Sequence, residues 1–226
     1  MLNIHRRLRK NLKRKSGIRS IRKAGFWFVD IPRTSSSSVR SELGRCFGPP
    51  YGKANLIDRE HAAEQLFPDH VPAVEMRELI GERIWDKLFV FTLVRNPWDR
   101  MLSLYHYLWK RGRIPQDWDF ALFVKHFLDG DTSVPAFRFR ANMLRMVDFV
   151  LDREGRLLVD DIIRFEDRDI GLKRVAGRIG LSDFGHLHIQ KASPNGEHYR
   201  IAYDSDTRDK VARYFQRDID FFDYDF

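Results

Sequence analysis

The chain has 226 residues, 43% of them hydrophobic, and a formal net charge of +8, which suits one sizeable α/β domain or two small ones. Its single cysteine, Cys46, excludes an intramolecular disulfide, fits a reducing compartment, and reads as a small buried apolar residue rather than a nucleophile. No apolar run approaches the ~20 residues of a membrane span, and the N-terminus lacks the apolar segment of a signal peptide.

In chain order, residues 1–25 come first, a basic arm with ten Lys or Arg and no Asp or Glu. The rest of the chain, 26–226, carries 30 basic and 32 acidic residues. The arm reads as a solvated, partly helical tail, or as a segment drawn to anionic lipid headgroups or an acidic polymer. Nucleic acid is not indicated, because no helix-turn-helix, zinc-finger or RNA-binding signature follows the arm. The expected location is cytoplasmic, with the inner face of the membrane as the surface the arm would touch.

"GFWFVDI" (25–31) is a short β-prone run of the kind buried on both faces in parallel sheets. Val39, Leu43 and Phe47 are spaced four apart and mark one face of a helix. "GPPYG" (48–52) breaks the chain. Residues 59–67 and 72–85 look helical, and "KLFVFTLV" (87–94) is the clearest strand. A second strong helix follows, with Asn96 able to cap and Pro97 in the first turn; its apolar stripe is Trp98, Met101, Leu102, Tyr105, Leu108 and Trp109. Helices are expected around 119–129 and 136–145. "MVDFVLDREGRLLVDDIIRFED" reads as strand, turn at Glu154-Gly155, and strand. A helix fits 168–179, "KASPNGEHY" (191–199) is a loop, and 204–220 is a terminal helix. Strands alternating with helices predict a parallel sheet covered by helices.

Two strand-to-helix junctions stand out. In "FVDIPRTSSSSVRSEL" an apolar run stops at a polar loop and a helix begins. Free N–H groups and the dipole at that helix start favour an anion. Arg33 adds a forked positive charge, and Thr34, Ser35, Ser36, Ser37 and Ser38 add hydroxyls. In "FTLVRNPWDRMLSLYHY", Arg95 ends a strand and Ser103 lies eight residues on, about two turns into the helix. Two such sites at the ends of neighbouring parallel strands suit a ligand with two separated phosphate-like groups.

These residues resemble a known family. "FVDIPRTSSSSVRSEL" looks like the 5′-phosphosulfate loop of sulfotransferases that use 3′-phosphoadenosine 5′-phosphosulfate (PAPS). "FTLVRNPWDRMLSLYHYL" is similar to their 3′-phosphate motif, whose Arg and Ser are also eight apart. The likeness extends to "DHVPAVEMRELIGERIWDKLFVF", "DDIIRFEDRD" and "YFQRDIDFFDYDF", and is nearest to the carbohydrate, membrane-associated type with its bacterial members. It implies a P-loop-NTPase-like three-layer α/β sandwich with a central parallel sheet of about four or five strands. It also implies PAPS as donor, 3′-phosphoadenosine 5′-phosphate (PAP) as product, no metal, and a glycan, glycolipid or small hydroxyl compound as acceptor.

The family loop usually reads Lys-Thr-Gly-Gly-Thr-Ser where this chain has Arg33-Thr34-Ser35-Ser36-Ser37-Ser38. Glycine takes a positive φ at little cost and serine does not, so a loop of that shape strains Ser35 or Ser36. Arg33 would act by electrostatics on the leaving phosphate, since a guanidinium keeps its proton. By the resemblance, His70 in "HVPAVEMRELIG" is the base, with His61 in "REHAAEQL" as runner-up; His106 shares a helix face with Ser103 and serves structure equally well. Lys191 and Ser193 in "IQKASPNGEHYR" match a late loop that folds over the donor. Arg164 and Glu166 in "IIRFED" match a family motif and read as mainly structural. "HLH", His186 to His188, has a spacing that suits a metal on a strand, but no convincing ligand set surrounds it. Two rival classes remain, a non-catalytic nucleotide-binding module with a degenerate loop and a P-loop kinase or NTPase, which wants G-x-x-x-x-G-K-[ST] and an acidic Mg²⁺ partner.

Overall fold

The computed structural model describes residues 15–51, 69–182, 184 and 199–226. Helix α1 (15–24) turns at Gly25 (φ 75°) into strand β1 (Phe26–Val29). The second half of the basic arm is therefore folded. Ile21 is fully buried, and Ile18 and Ala24 pack on the same core, while Lys15, Arg19, Arg22 and Lys23 are exposed.

Helix α2 (Ser36–Phe47) buries Val39 and Leu43, as their spacing predicts. The helix expected over 72–85 divides at Gly81 (φ 93°) into α3 (Ala73–Ile80) and α4 (Glu82–Trp85). Strand β2 (Phe89–Val94) has all six residues buried, as befits a central parallel strand. Helix α5 (Pro97–Trp109) is capped by Asn96, whose side chain accepts from Trp98 N–H, with Pro97 at its start. Helix α6 (Phe120–Leu128) is capped in the same way by Asp119. The segment 136–145 forms no continuous helix. It holds a 3₁₀ turn (Pro135–Arg138) and the one-turn α7 (Arg140–Met143).

A strand was expected from Met146 onward, yet Val147–Val150 is helix α8. The cause is tertiary. Both oxygens of the fully buried Asp218 accept backbone N–H bonds, from Met146 and Val147, each 2.9 Å. That carboxylate supplies the cap the local sequence lacks and overrides its β propensity. The turn does occur at 152–156, and strand β3 (Asp161–Arg164) follows it. Helix α9 (Arg168–Arg178) packs so closely on β3 that a Cβ on Gly171 would overlap the Ile163 side chain. The terminal helix breaks at Phe215 into α10 (Ser205–Tyr214) and α11 (Gln216–Phe222). Cys46 is exposed, not buried: it falls in the last turn of α2, where its thiol donates to Glu42 (3.7 Å) instead of entering the core.

The architecture is α/β, with a parallel sheet of order β1-β2-β3. It has three strands among the described residues, against the four or five the resemblance implies. Its register pairs Val29 with Thr92 and Val94 with Arg164. One core surrounds the sheet with α1–α4, α8 and α9; a second joins α5, α6 and α10. No described helix is long and apolar enough to cross a membrane.

Candidate functional site

Parallel pairing carries both junctions to one edge of the sheet. Val29 lies beside Thr92, so the loop after β1 and Arg95 after β2 open side by side at the carboxyl ends of the strands, where ligands of open α/β sheets bind.

The first loop is shaped from outside. Thr34 Oγ1 donates to the Ile31 carbonyl (3.0 Å), Arg100 Nε to Pro32 (3.1 Å) and Arg95 Nη1 to Arg33 (3.2 Å). Three consecutive carbonyls are thus tied to the protein. Arg33 (φ 69°) and Ser35 (φ 71°) are left-handed, and alternations of this kind turn successive N–H groups into an anion-binding concavity. Of the two serines at glycine positions, Ser35 is the strained one. Ser35 is also the N-cap of α2, yet its side chain makes no capping bond, and no acid lies in the first turn. No acid of α2 itself therefore offsets the positive end of its dipole, although the Asp30 carboxylate reaches the Ser36 hydroxyl.

The serines divide by burial. Thr34 and Ser36 are buried, Ser35 and Ser38 half-buried, Ser37 exposed. Ser36 gives its hydrogen bond to Asp30, and Arg168 Nη1 reaches Ser35 Oγ at 3.4 Å.

The second junction meets the first at Arg33. Its Nη2 and Nε donate to Ser103 Oγ at 2.9 and 3.2 Å, across 70 residues of sequence. Its guanidinium also lies 4.4 Å from the centre of the Tyr107 ring, with Arg111 at 4.6 Å from the same ring. Among the described residues no carboxylate pairs with Arg33. Burial, then the charges of Arg95, Arg111 and Arg100, bring its pKa down to about 10, so it is still a cation at neutral pH. Arg33, a cation beside further arginines and with no described carboxylate partner, favours an anion here.

Arg95 is buried at 5% exposure. Its Nε and Nη2 donate to the two oxygens of Asp99 at 2.7 and 2.8 Å, and its guanidinium lies 4.2 Å from the Phe165 ring centre.

His70 stands apart from this cluster. Its Nδ1 is 3.1 Å from both the backbone carbonyl and Oδ1 of Asp30, its φ is 59°, and its ring meets Phe139 edge-on at 6.1 Å. Arg40 Nη1 donates to Asp30 Oδ2 (2.9 Å) and bridges to Asp69. Burial opposes the charged imidazole, but the hydrogen bond and charge of Asp30 outweigh it, and His70 titrates above its ordinary value. Burial likewise opposes the Asp30 carboxylate, but His70, Arg40 and Ser36 hold it well below the usual carboxylate range. Beside the pair lies a cleft of about 30 Å³ walled by Trp27 and Tyr51, room for about two waters. No described hydrogen bond or ion pair joins His70 to Arg33, Arg95 or Ser103. His106 is nearer that cluster: burial, then Lys110 and Arg33, lower its pKa. His61, His186, His188, Lys191 and Ser193 lie outside the described residues.

Arg164 and Glu166 tie the chain terminus to α5. Arg164 Nη2 donates to the Phe222 and Asp223 carbonyls. Glu166 accepts the Asn96 N–H (2.9 Å) and the Tyr224 hydroxyl (3.0 Å). Asp30, Asp99, Arg100 and Arg168 were not singled out from sequence. Only Asp99 carried a local signal there, its i,i+4 spacing from Arg95.

No protein-family model and no solved structure matches the chain. It is 28% identical over 123 residues to an uncharacterized protein of Archaeoglobus fulgidus, a match that covers 54% of this chain and 93% of that relative.

Proposed function

We propose that the protein is a PAPS-dependent sulfotransferase that moves a sulfuryl group to a hydroxyl or amine of a carbohydrate or glycolipid, on the P-loop-NTPase-like three-layer sandwich its motifs imply. The observation that carries this reading is the pair of hydrogen bonds from Arg33 to Ser103. It makes one cluster of the two segments that resemble the 5′-phosphosulfate and 3′-phosphate motifs.

In this reading Arg95 and Ser103 hold the 3′-phosphate, and the left-handed loop with the start of α2 holds the 5′ end; the resemblance adds Lys191 and Ser193 as donor contacts. The acceptor oxygen attacks sulfur as its proton passes to His70. The bond from sulfur to the bridging oxygen breaks, and the electron pair stays on that oxygen as PAP leaves. Arg33 and the loop N–H groups stabilise the charge that grows there. Positioning and charge supply most of the catalysis, as in phosphoryl transfer. His70 must first lose its proton, so base catalysis sets in above its raised pKa. The basic arm would meet an anionic membrane.

A second reading, a nucleotide-binding module without turnover, draws on Ser35, which occupies a left-handed position that glycine fills in the family loop. A P-loop kinase is disfavoured, since the loop has no glycine and Arg95 stands at the strand end where an acidic Mg²⁺ partner belongs.

Calorimetry with PAP and adenosine 5′-phosphosulfate tests the donor site. Arg95→Ala and Ser103→Ala should weaken PAP and spare adenosine 5′-phosphosulfate, which lacks the 3′-phosphate; equal losses refute the assignment. Turnover of radiolabelled PAPS with glycan and phenol acceptors separates enzyme from binding module. There, His70→Ala should cost about 10²–10⁴-fold in rate with donor binding intact. Full turnover in His70→Ala, with loss in His61→Ala or His106→Ala, moves the base to that histidine.

A further inference from the structure

The geometry points to Asp99 as the residue that positions Arg95 for a ligand phosphate, a role that rests on the donor-site reading above. Asp99 occupies the third position of α5, two residues after Pro97. An acid there commonly reaches back to the N-cap N–H. Here that N–H is already taken, because Asn96 N donates to Glu166 Oε1, and Glu166 is itself held by Tyr224. Both oxygens of Asp99 are thereby released to Arg95, one on Nε and one on Nη2.

This side-on fork decides which face of the guanidinium stays available. A guanidinium has five N–H groups. Two go to Asp99 and one, on Nη1, to the Arg33 carbonyl. The two that remain are on the terminal nitrogens Nη1 and Nη2. The Phe165 ring, 4.2 Å from the guanidinium carbon, backs the group. Asp99 also gives this buried cation its counter-charge beside Arg33, so Arg95 keeps its place among like charges. Asp99 touches no ligand in this role; it aims the group that does.

Asp99→Asn removes the charge and one of the two acceptors while keeping the shape. Dissociation constants for PAP and for adenosine 5′-monophosphate, which lacks the 3′-phosphate, are measured by calorimetry, with folding checked by circular dichroism. We expect PAP to weaken about tenfold in Asp99→Asn and adenosine 5′-monophosphate to stay within twofold. A purely structural role would weaken both ligands alike. Tighter PAP binding would mean that Asp99 competes with the phosphate, and unchanged binding that it does not aim Arg95; either result, or equal losses, overturns the role. Should Asp99→Asn melt below the assay temperature, Asp99→Glu carries the test. It keeps the charge but displaces the fork, so a few-fold loss confined to PAP is expected, and an unchanged PAP constant overturns the role. Wild type that does not bind PAP overturns the donor reading and this role together; wild type that binds, with Asp99→Asn matching it, overturns this role alone.

Discussion

Ser35→Gly is the sharpest test of the loop. Ser35 has φ 71° and ψ 7°, and its side chain makes no capping bond. For a residue with a Cβ this left-handed conformation costs about 1–2 kcal/mol. Glycine removes that cost but loses about 0.5–1 kcal/mol more in chain entropy on folding. The hydroxyl's contact with Arg168 is long, 3.4 Å, and contributes little. At the middle of these ranges the balance favours the variant by about 0.75 kcal/mol, a rise of roughly 1.5–3 °C in Tm for a chain of this size. Urea unfolding and calorimetry of wild type, Ser35→Gly and Ser35→Ala supply the comparison. Ser35→Ala keeps the Cβ and drops the hydroxyl, so it should track wild type. If Ser35→Gly is no more stable than Ser35→Ala, the left-handed strain at this position is not real and the loop has another shape.

His70 has a raised pKa in the folded state, so its contribution to stability is complete below its unfolded pKa of about 6.5 and is lost as pH rises through the higher folded value. Asp30 is depressed, so its share is present above about 3.9 and lost only in stronger acid. Stability of the wild type should therefore fall above pH 6.5 more steeply than that of His70→Gln; superimposable pH curves would exclude the pair as a titrating unit. The exposed stripe Lys15, Arg19, Arg22 and Lys23 should contribute about 1 kcal/mol per cation to docking on phosphatidylserine vesicles. Replacing all four by Gln should weaken vesicle association at least tenfold in low salt, and unaltered sedimentation with vesicles would dismiss the membrane surface.

What sequence alone determined here is local in origin. The four-residue spacing of Val39 and Leu43 was enough for α2, and the Asn96-Pro97 start was enough for α5, because helix periodicity and capping act within one or two turns. The run 89–94, apolar but for Thr92, identified the central strand, since a strand buried on both faces leaves no regular polar alternation. Both strand-to-helix junctions, with Arg33 and Arg95 at them, were legible because each sits where an apolar run gives way to a helix start; Ser103, two turns into α5, stood out only by its spacing of eight from Arg95. Tertiary structure alone decided the rest. Residues 147–150 are helical because Asp218, 71 residues away, supplies the missing cap. Residues 15–24 of the arm form a helix whose Ile21 is fully buried in the core. Asp30 meets His70 across 40 residues, and Arg33 meets Ser103 across 70. Asp99 is free to hold Arg95 because Glu166 takes the N–H it would otherwise serve. Such pairings depend on which groups the parallel sheet brings to its carboxyl edge, and no local pattern of residues encodes that distance.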